Sequence, residues 1–253
     1  MDQCDFSLIK KMNIQTDTVV GNQTDKIARE IIDMNGHKVT YISYIGKGIG
    51  LNRNKVIENS CADICVFADD DMRFVEGYPE IVKNVFKEVV DADVIIFNLI
   101  EKETTRYVNT KIKKIRMHNY AKYGAARFVI KRESIANSGI TFNLQFGGGT
   151  KYGSGEDTIF LKECIKKGLK VVAVPYAIAE IDQTADSTWF KGYNKKFFAD
   201  KGALYSCLYS HFAWCFCIRY LLKYHKKYCK SIPMTEAFSC MKKGIQEYSK
   251  ENL

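Results

Sequence analysis

Residues 64–74 read ICVFADDDMRF, an apolar run followed at once by three aspartates. The apolar part predicts a buried strand, which places Asp69, Asp70 and Asp71 at its carboxyl end, where open α/β sheets bind ligands. Three adjacent carboxylates repel one another unless a cation compensates them. Their oxygens suit Mg²⁺ or Mn²⁺, and such an ion bridges phosphate oxygens. The stretch predicts a metal-diphosphate site, with a solvated turn as the alternative.

Outward from this stretch, short β-rich runs alternate with helical patterns, which is typical of a mostly parallel sheet with flanking helices. We expect one α/β domain over residues 1–186, because no Gly-, Ser- or Pro-rich linker divides the chain. The predicted strands cover residues 17–22, 39–45, 64–68, 94–99, 127–130 and 171–174. Pro175 is expected to end the last strand, and a helix closed by Gly36 is expected over residues 25–34.

Residues 46–54 read GKGIGLNRN, in which a glycine-rich turn at 46–50 leads into a predicted helix around residues 52–59. A helix N-terminus beside Lys47 and Arg53 attracts phosphate or a base carbonyl. Glycine turns of this kind are common, so the pattern alone does not show whether this helix start binds a nucleotide. It is not a P-loop, since no Gly-Lys-Ser/Thr follows.

Residues 154–157 read SGED and have the spacing of a capping box between Ser154 and Asp157 at a helix start. A carboxylate at Asp157 could serve as general base toward a hydroxyl. Acids in a first helical turn are also favoured by the helix dipole, so a structural cap is the alternative. A loop of close approach is expected just before, at residues 146–149, FGGG.

The basic surplus of the chain lies in its last quarter. The net charge is +9, and from Ser187 onward there are 12 Lys and Arg against 4 Asp and Glu, whereas the preceding residues hold 26 and 25. A nucleic-acid-binding protein would spread its basic residues over the domain face, so no nucleic-acid partner is expected. The nine cysteines lack Cys-x-x-Cys spacing, which favours reduced thiols and a cytoplasmic location.

Residues 187–253 are predicted to form a basic, aromatic-rich helical appendage. The apolar run 202–222 is interrupted by His211, and a spanning helix needs about 20 predominantly apolar residues. Two alternatives stay open, docking on the domain core or contact with an anionic membrane surface through the lysines of 223–230. Trp189 could stack on a sugar face or anchor the core.

The chain resembles the family 2 glycosyltransferases of the GT-A fold. The resemblance rests on four segments in order, which are TVVGNQTD (18–25), GKGIGLNRN (46–54), ICVFADDDMRF (64–74) and GEDTIFLKECIKKGLKVVAVP (155–175). It spans residues 5–182 and implies a GT-A-like α/β fold. It also implies inverting transfer of a sugar from a nucleoside diphosphate sugar to a hydroxyl of a glycan or lipid-linked acceptor. Surface polysaccharide synthesis at the inner face of a bacterial membrane would be the setting.

The resemblance also implies roles for individual residues. Asp71 and Asp69 match the Asp-x-Asp motif that holds a divalent metal, Mn²⁺ or Mg²⁺, with Asp71 as the firmer ligand. Asp157 matches the catalytic base, and Glu156 its acidic partner on the acceptor side, which Trp189 would join. The implied nucleotide-sugar contacts are Asn22, Gln23, Asp25, Lys47, Arg53, Asp69 and Asp70.

Three departures from the family pattern matter. Gly21 and Asn22 stand where acids usually read the base, which leaves the nucleotide open. Glu180 and Asp182 stand in place of a usual histidine ligand, and of the two Glu180 is expected to be a third acidic metal ligand, with an exposed strand end as the alternative. The usual first strand is not found before the helix that residues 6–12 predict, and its loss would leave neighbouring strand edges unpaired. We therefore expect the natural form to begin earlier, with an apolar strand.

Three other functions have to be separated from sugar transfer. A sugar nucleotidyltransferase would be expected to carry a Gly-rich loop with a basic signature near the N-terminus, which this sequence lacks. A membrane-associated scaffold with a degenerate site and a basic nucleic-acid-binding protein would both bind without turnover. Metal-dependent hydrolysis of a nucleoside diphosphate sugar would distinguish the enzyme from these binding proteins.

Overall fold

The computed structural model describes residues 3, 5–103, 106–182 and 190–252. The strands are β1 (Thr18–Gln23), β2 (Ala28–Met34), β3 (His37–Tyr44), β4 (Ile64–Val66), β5 (Met72–Phe74), β6 (Val94–Ile100), β7 (Lys113–Lys114), β8 (Phe128–Lys131) and β9 (Val171–Ile181). The helices are α1 (Ser7–Lys11), α2 (Ile49–Glu58), α3 (Tyr78–Glu88), α4 (Arg132–Ser138), α5 (Glu156–Lys166), α6 (Lys195–Tyr209), α7 (Ala213–Tyr228) and α8 (Met234–Glu251). The predicted α/β class with a C-terminal helical region is confirmed.

The strands form two sheets. One has the order β1-β3-β2, and the other has the order β4-β8-β6-β9-β5 with β7 added on β9. In the described chain, only β1–β3 and β6–β9 pair in parallel, and the other five pairings are antiparallel. The sheets are therefore mixed, and the expectation of a mostly parallel sheet is wrong. Parallel pairs need long crossover connections, whereas short turns return a strand antiparallel to its neighbour.

Residues 25–34 do not form the predicted helix, because most of them belong to strand β2. Asn35 and Gly36 have φ angles of 57° and 80° and form the tight turn that joins β2 to β3. Asn-Gly between two strands is a strong hairpin signal, since both residues tolerate the left-handed conformation. The isoleucines whose spacing suggested a helical face, Ile27 and Ile31, are exposed.

Pro175 does not end the last strand, because β9 continues through it to Ile181. The pairing of β6 with β9 shifts register at this point, from Ile96 opposite Ala173 to Asn98 opposite Ala177. Proline has no N–H to donate, and a bulge leaves its position without a ladder partner. The strand therefore accommodates the proline and carries on toward the site.

The core lies on both faces of the larger sheet. Along β6, Val94 and Ile96 pack toward Phe160 of α5, while Ile95 and Phe97 pack toward α3. This alternation follows from the two-residue period of a strand. Helices pack on both faces of the sheet. They hold in place the edge at the end of β4, which the aspartates follow.

The C-terminal helices form a core of their own and also join the domain. Phe198, Cys217, Leu221 and Met241 belong to a buried cluster that α6, α7 and α8 share. α6 additionally packs through Leu204 into a second cluster with residues that precede and begin α5. Docking on the core is therefore confirmed for α6, while the domain boundary at residue 186 stays a prediction. None of the helices in the described part of the chain is long and apolar enough to cross a membrane.

α6 and α8 cross in direct backbone contact at two glycines. A Cβ atom on Gly202 would lie 2.1 Å from the carbonyl oxygen of Met241, and one on Gly244 would lie 1.9 Å from that of Ala199. Such distances exclude any side chain, so each helix needs its own glycine. The crossing holds α6 tightly between α8 and the start of α5.

β1 and β4 each end a sheet. In the described residues, β1 pairs with β3 alone and β4 with β8 alone. α1 connects the two sheets, because Ile9 packs on Val39 and the Met12 carbonyl accepts the Phe74 N–H at 2.9 Å. The expectation of an apolar strand before this helix stays a prediction.

Candidate active site

A buried arginine joins the two acidic segments that the sequence singled out. Arg53 on α2 donates from Nη2 to Asp69 Oδ1 at 3.1 Å and from Nη1 to Glu156 Oε1 at 2.8 Å. Its side chain is only 8% exposed. The turn after β4 and the first turn of α5 are thereby brought to one place, although 87 residues separate them in the chain.

The charge of Arg53 is held firmly. Burial acts to lower the pKa of Arg53, but the neighbouring carboxylates, with Asp69 first, raise it overall. The guanidinium also lies 5.3 Å from the ring centre of Phe142. Removing one partner of such a buried ion pair is strongly destabilising, because the remaining charge is left buried and uncompensated. Arg53 and Glu156 are therefore engaged with each other, and the acceptor-side role of Glu156 stays a prediction.

Asp157 is half-buried in the first turn of α5. Burial first, and then the charge of Glu156, raise the pKa of Asp157 to about 6, while Arg53 opposes the shift. A carboxylate poised near neutral pH is suited to general-base work. Its Oδ2 faces Gly124, where an added Cβ would lie 3.4 Å away.

The capping box from Ser154 to Asp157 does not form. Gly155, with a φ of 126°, is the residue that precedes the helix, and no side chain caps it. Asp157 instead accepts the backbone N–H of Thr158 through Oδ1 at 2.6 Å. The helix start therefore differs from the prediction because Gly155 adopts a backbone conformation that suits glycine alone.

The other two aspartates of the triplet face a surface cavity of about 380 Å³. Its lining residues are Gln3, Ser7, Leu8, Lys11, Asp70, Asp71 and Asp182. Burial, followed by the charge of Asp69, raises the pKa of Asp71. Asp71 Oδ1 is buried and has no hydrogen-bond partner among the described residues. The cavity thus offers carboxylate oxygens together with the cationic Lys11.

The residues at this cavity fit a divalent cation. A buried carboxylate oxygen without a donor is costly unless something positive meets it, and Asp71 Oδ1 is such an atom. Within the described chain, no three His, Cys, Asp or Glu side chains converge closely enough to hold an ion by themselves. Mg²⁺ is commonly held by one or two carboxylates together with substrate phosphates, so a smaller protein donor set suffices.

Glu180 lies apart from the residues that line this cavity. It is exposed on β9, opposite Arg73 of β5. Asp182, two residues further on, donates its backbone N–H to the Asp71 carbonyl at 2.8 Å and lines the cavity. Of the two acids named from the sequence, it is therefore Asp182 that lines the cavity, and the role of Glu180 as a metal ligand stays a prediction.

The two predicted nucleotide loops lie against each other. The buried Gln23 donates from Nε2 to the Gly48 carbonyl at 2.8 Å, which ties the end of β1 to the glycine turn. Asn22 is also buried, and its side chain bonds both backbone groups of Gln3, at 2.9 and 3.0 Å. Asp25 and Lys47 are exposed at the same loops. The nucleotide contacts of these four residues stay predictions.

Gly21 lies in close contact with α2. Asn52 of α2 donates from Nδ2 to the Gly21 carbonyl at 2.6 Å. A Cβ on residue 21 would lie 2.5 Å from Asn52 Oδ1. An acidic side chain at this position would therefore require the Asn52 side chain to move. Trp189, the remaining predicted acceptor contact, lies outside the described residues.

Solved structures that match the fold include those of TarS from S. aureus. Residues 1–349 of TarS in complex with UDP-GlcNAc match with a TM-score of 0.57 at 11% identity, over 84% of this chain and 64% of that one. The complex with UDP matches with a TM-score of 0.54 at 11% identity, over 84% and 66%. TarS 1–349 itself matches with a TM-score of 0.51 at 11% identity, over 86% and 76%. This chain thus spans less than two thirds of the first of these structures.

At 11% identity this structural similarity establishes a GT-A-like α/β fold and does not establish the activity. No protein-family model matches the sequence, and no curated protein matches it.

Proposed function

We propose that this protein transfers a sugar from a nucleoside diphosphate sugar to a hydroxyl group, with inversion. The observation that carries the proposal is the Arg53 bridge between Asp69 and Glu156. It gathers the acidic turn after β4 and the base candidate Asp157 into one site. Such a site has both parts that the reaction needs, an anchor for a diphosphate and a base for the attacking hydroxyl.

In this proposal the diphosphate occupies the cavity beside Asp70, Asp71 and Asp182, with Lys11 contributing positive charge. Bound Mg²⁺ or Mn²⁺ would stabilise the charge that develops on the departing diphosphate. Asp157 removes the proton from the acceptor hydroxyl as that oxygen attacks the sugar carbon. Arg53 holds Asp69 and Glu156 in place, so the site is preorganised before substrate arrives.

The nucleotide is proposed to be uridine diphosphate, because the TarS structures with this fold contain UDP or UDP-GlcNAc. A glycan or a lipid-linked glycan is the proposed acceptor, and surface polysaccharide synthesis the proposed setting. Membership of family 2 and the inverting outcome rest on the four matching sequence segments together with the placement of Asp157.

The proposal is tested by calorimetry of UDP-GlcNAc binding with Mn²⁺ and with a chelator, followed by assays of UDP release. We expect Mn²⁺-dependent binding and slow hydrolysis by the wild-type protein. Asp71→Ala should remove the metal-dependent part of the affinity, a loss of about tenfold or more, equivalent to about 1.4 kcal/mol. The reason is that the substitution removes a hard ligand from the cation beside the diphosphate.

Asp63→Ala is the matched control, since Asp63 is an exposed acid just before β4, at the end of the strand away from the triplet. It should leave both measurements unchanged. Equal metal-dependent affinity in Asp71→Ala and the wild type would contradict the site assignment. Release of pyrophosphate from a sugar phosphate and a nucleoside triphosphate would point to nucleotidyl transfer instead.

We further propose that α7 contacts an anionic membrane surface at the cytoplasmic leaflet. Its outer side exposes two large apolar side chains, Ile218 at 48% and Leu222 at 64%, and Phe212, which directly precedes the helix, is 70% exposed. Arg219, Lys223 and the lysines that follow are exposed on or beside the same side of the helix. Apolar side chains beside basic ones suit a headgroup layer that carries anionic lipids, as the cytoplasmic leaflet does.

Flotation of the whole protein with vesicles tests this contact. At low salt we expect binding to phosphatidylcholine vesicles that contain phosphatidylglycerol and little binding without it. The triple variant Phe212→Ser, Ile218→Ser and Leu222→Ser should lose most of the bound fraction, because it removes the inserted apolar area.

Ile27→Ser with Ile31→Ser is the control, since these exposed isoleucines lie near or on β2, far from α7 in the sequence. Unaltered flotation of the α7 variant, or equal binding to neutral vesicles, would refute the membrane contact. Deletion from Gly202 is unsuitable as a test, because it would remove Leu204 and the α6–α8 crossing from the core.

A further inference from the structure

The loop that follows β6 starts beside the acidic cavity. Ile100, the last residue of β6, lies opposite Glu180 on β9. Two residues further along the chain, Asp182 donates its backbone N–H to the Asp71 carbonyl at 2.8 Å. The loop therefore leaves the sheet at the edge that carries the cavity.

The far end of this loop reaches the candidate base. A Cβ atom on Gly124 would lie 3.4 Å from Asp157 Oδ2. The preceding residue, Tyr123, is buried, and its ring centre lies 6.1 Å from that of Tyr107 in an edge-to-face arrangement. Tyr107 is therefore linked to the position of Asp157 through two neighbouring residues, Tyr123 and Gly124.

Two buried polar side chains hold the backbone of the loop at Tyr107 and just after it. Arg127 donates from Nη1 to the Tyr107 carbonyl at 2.8 Å and from Nε to the Phe97 carbonyl at 2.6 Å. The side chain of Asn98 bonds both backbone groups of Asn109, each at 2.9 Å. Because Phe97 and Asn98 belong to β6, the loop is fixed to the sheet at two points.

The buried arginine allows the loop little freedom. Arg127 is 2% exposed, and the three oxygens that it bonds in the described chain are uncharged. Burial lowers the pKa of Arg127 to about 10, so the guanidinium stays charged at neutral pH. A buried cation is costly when its donors are unmet, and a displaced loop would leave them unmet. The network therefore favours one position of Tyr107.

The fixed loop presents an aromatic side chain to solvent. Tyr107 is 46% exposed, and Nζ of the exposed Lys122 lies 3.1 Å from the centre of its ring. The face of an aromatic ring is negative and attracts positive charge, including the small positive charge on the C–H groups of a sugar ring. The flexible lysine can move off the ring face and donate to the hydroxyls of such a ligand.

We propose that Tyr107 is the surface on which a pyranose ring of the acceptor stacks, with its hydroxyl directed to Asp157. This proposal rests on the proposed function, in which Asp157 takes the proton of that hydroxyl. Lys122 binds other hydroxyls of the same sugar, and Arg127 sets the position of the stacking surface relative to the base. The accepting unit is then a ring sugar and not an acyclic polyol.

Saturation-transfer NMR on the full chain tests the proposal without turnover. The probes are the methyl glycosides of glucose, galactose, mannose and N-acetylglucosamine, with ribitol as the acyclic comparison, each with and without UDP and Mn²⁺. We expect transfer from aromatic protons to the ring protons of at least one glycoside and little to ribitol. Tyr107→Ser should weaken that affinity about two- to tenfold, as the loss of an aromatic contact does, and Tyr107→Phe should keep it.

Tyr176→Ser is the matched control, because Tyr176 is a 40% exposed tyrosine whose hydroxyl bonds Glu88 at 3.3 Å. It should leave the glycoside affinity unchanged. A second measurement uses the protein labelled with 3-fluorotyrosine. The fluorine signal of Tyr107, identified by its loss in Tyr107→Phe, should shift on addition of the glycoside, and that of Tyr176 should not. This arm needs no variant that lacks the ring.

Equal glycoside affinity in Tyr107→Ser and the wild type would overturn the proposal, as would a wild type that binds none of the four glycosides or binds ribitol equally well. Failure of the proposed function would show differently, as absent binding of UDP-GlcNAc and absent release of UDP. Where transfer to a glycoside is observed, Tyr107→Ser should raise the KM for that acceptor more than it lowers kcat.

Discussion

Replacing Asp157 with asparagine is expected to slow sugar transfer by roughly 10²- to 10⁴-fold, the usual range for the loss of a general base. Asparagine keeps an oxygen for the Thr158 N–H and the size of the side chain, so the first turn of α5 should stay intact. Binding of UDP-GlcNAc should therefore persist. Transfer rates measured under saturating donor, beside calorimetric affinities, separate the two effects.

The pH dependence gives this prediction its control. Burial and Glu156 raise the pKa of Asp157 to about 6, so the wild-type rate should fall as pH drops through 6, and the variant should lack this limb. Because the folded pKa lies above the unfolded value, ionisation of Asp157 opposes folding between about pH 4 and 6. Above pH 6 the variant should therefore unfold no earlier than the wild type. If the variant turned over at the wild-type rate, the role of Asp157 would be purely structural.

Arg53→Met is expected to destabilise the fold by about 3–5 kcal/mol, the typical cost of leaving one side of a buried ion pair uncompensated. Glu156 would keep its charge in a buried position without the donor that now lies 2.8 Å from it. Total stabilities are commonly about 5–15 kcal/mol, so the loss would be a large part of the whole. Urea unfolding of the variant and the wild type measures the difference.

Two companion variants make the result interpretable. Arg53→Met combined with Glu156→Gln should recover part of the lost stability, because the second change removes the stranded charge. Arg29→Met, which alters an exposed arginine of β2, should change the unfolding midpoint little. A single Arg53→Met variant as stable as the wild type would show that the bridge contributes little, and Arg53→Lys extends the comparison if the methionine variant does not fold.

Three strands of the larger sheet, β4, β6 and β8, could be predicted from sequence because their apolar runs are continuous and bounded. Val94–Ile100 and Phe128–Lys131 lie within a residue or two of the predicted ranges. The helix expected over residues 25–34 failed because isoleucine spacing outweighed the Asn35-Gly36 turn signal. The strand end expected at Pro175 failed because a bulge, which depends on the partner strand, can absorb a proline.

Some features of the candidate site could likewise be predicted from the sequence, and others could not. The aspartate triplet and Asp157 could be found because each lies in a short local pattern at the end of a strand or the start of a helix. The double contact of Arg53 and the place of Asp182 depend on pairs of segments far apart in the chain. Sequence spacing carries no information about such contacts, and only the packing of α2 and β9 brings them together.

The glycine crossing of α6 and α8 has a consequence for the order in which the protein matures on the ribosome. Gly202 and Gly244 hold α6 against α8, and α6 in turn supports the backbone ahead of Asp157 through Leu204 and Asp200. Nascent chains emerge from the N-terminus, so the sheet can form while α8 is still being made. The support behind the proposed base can be completed only after α8 has emerged, so this support forms later than the sheet.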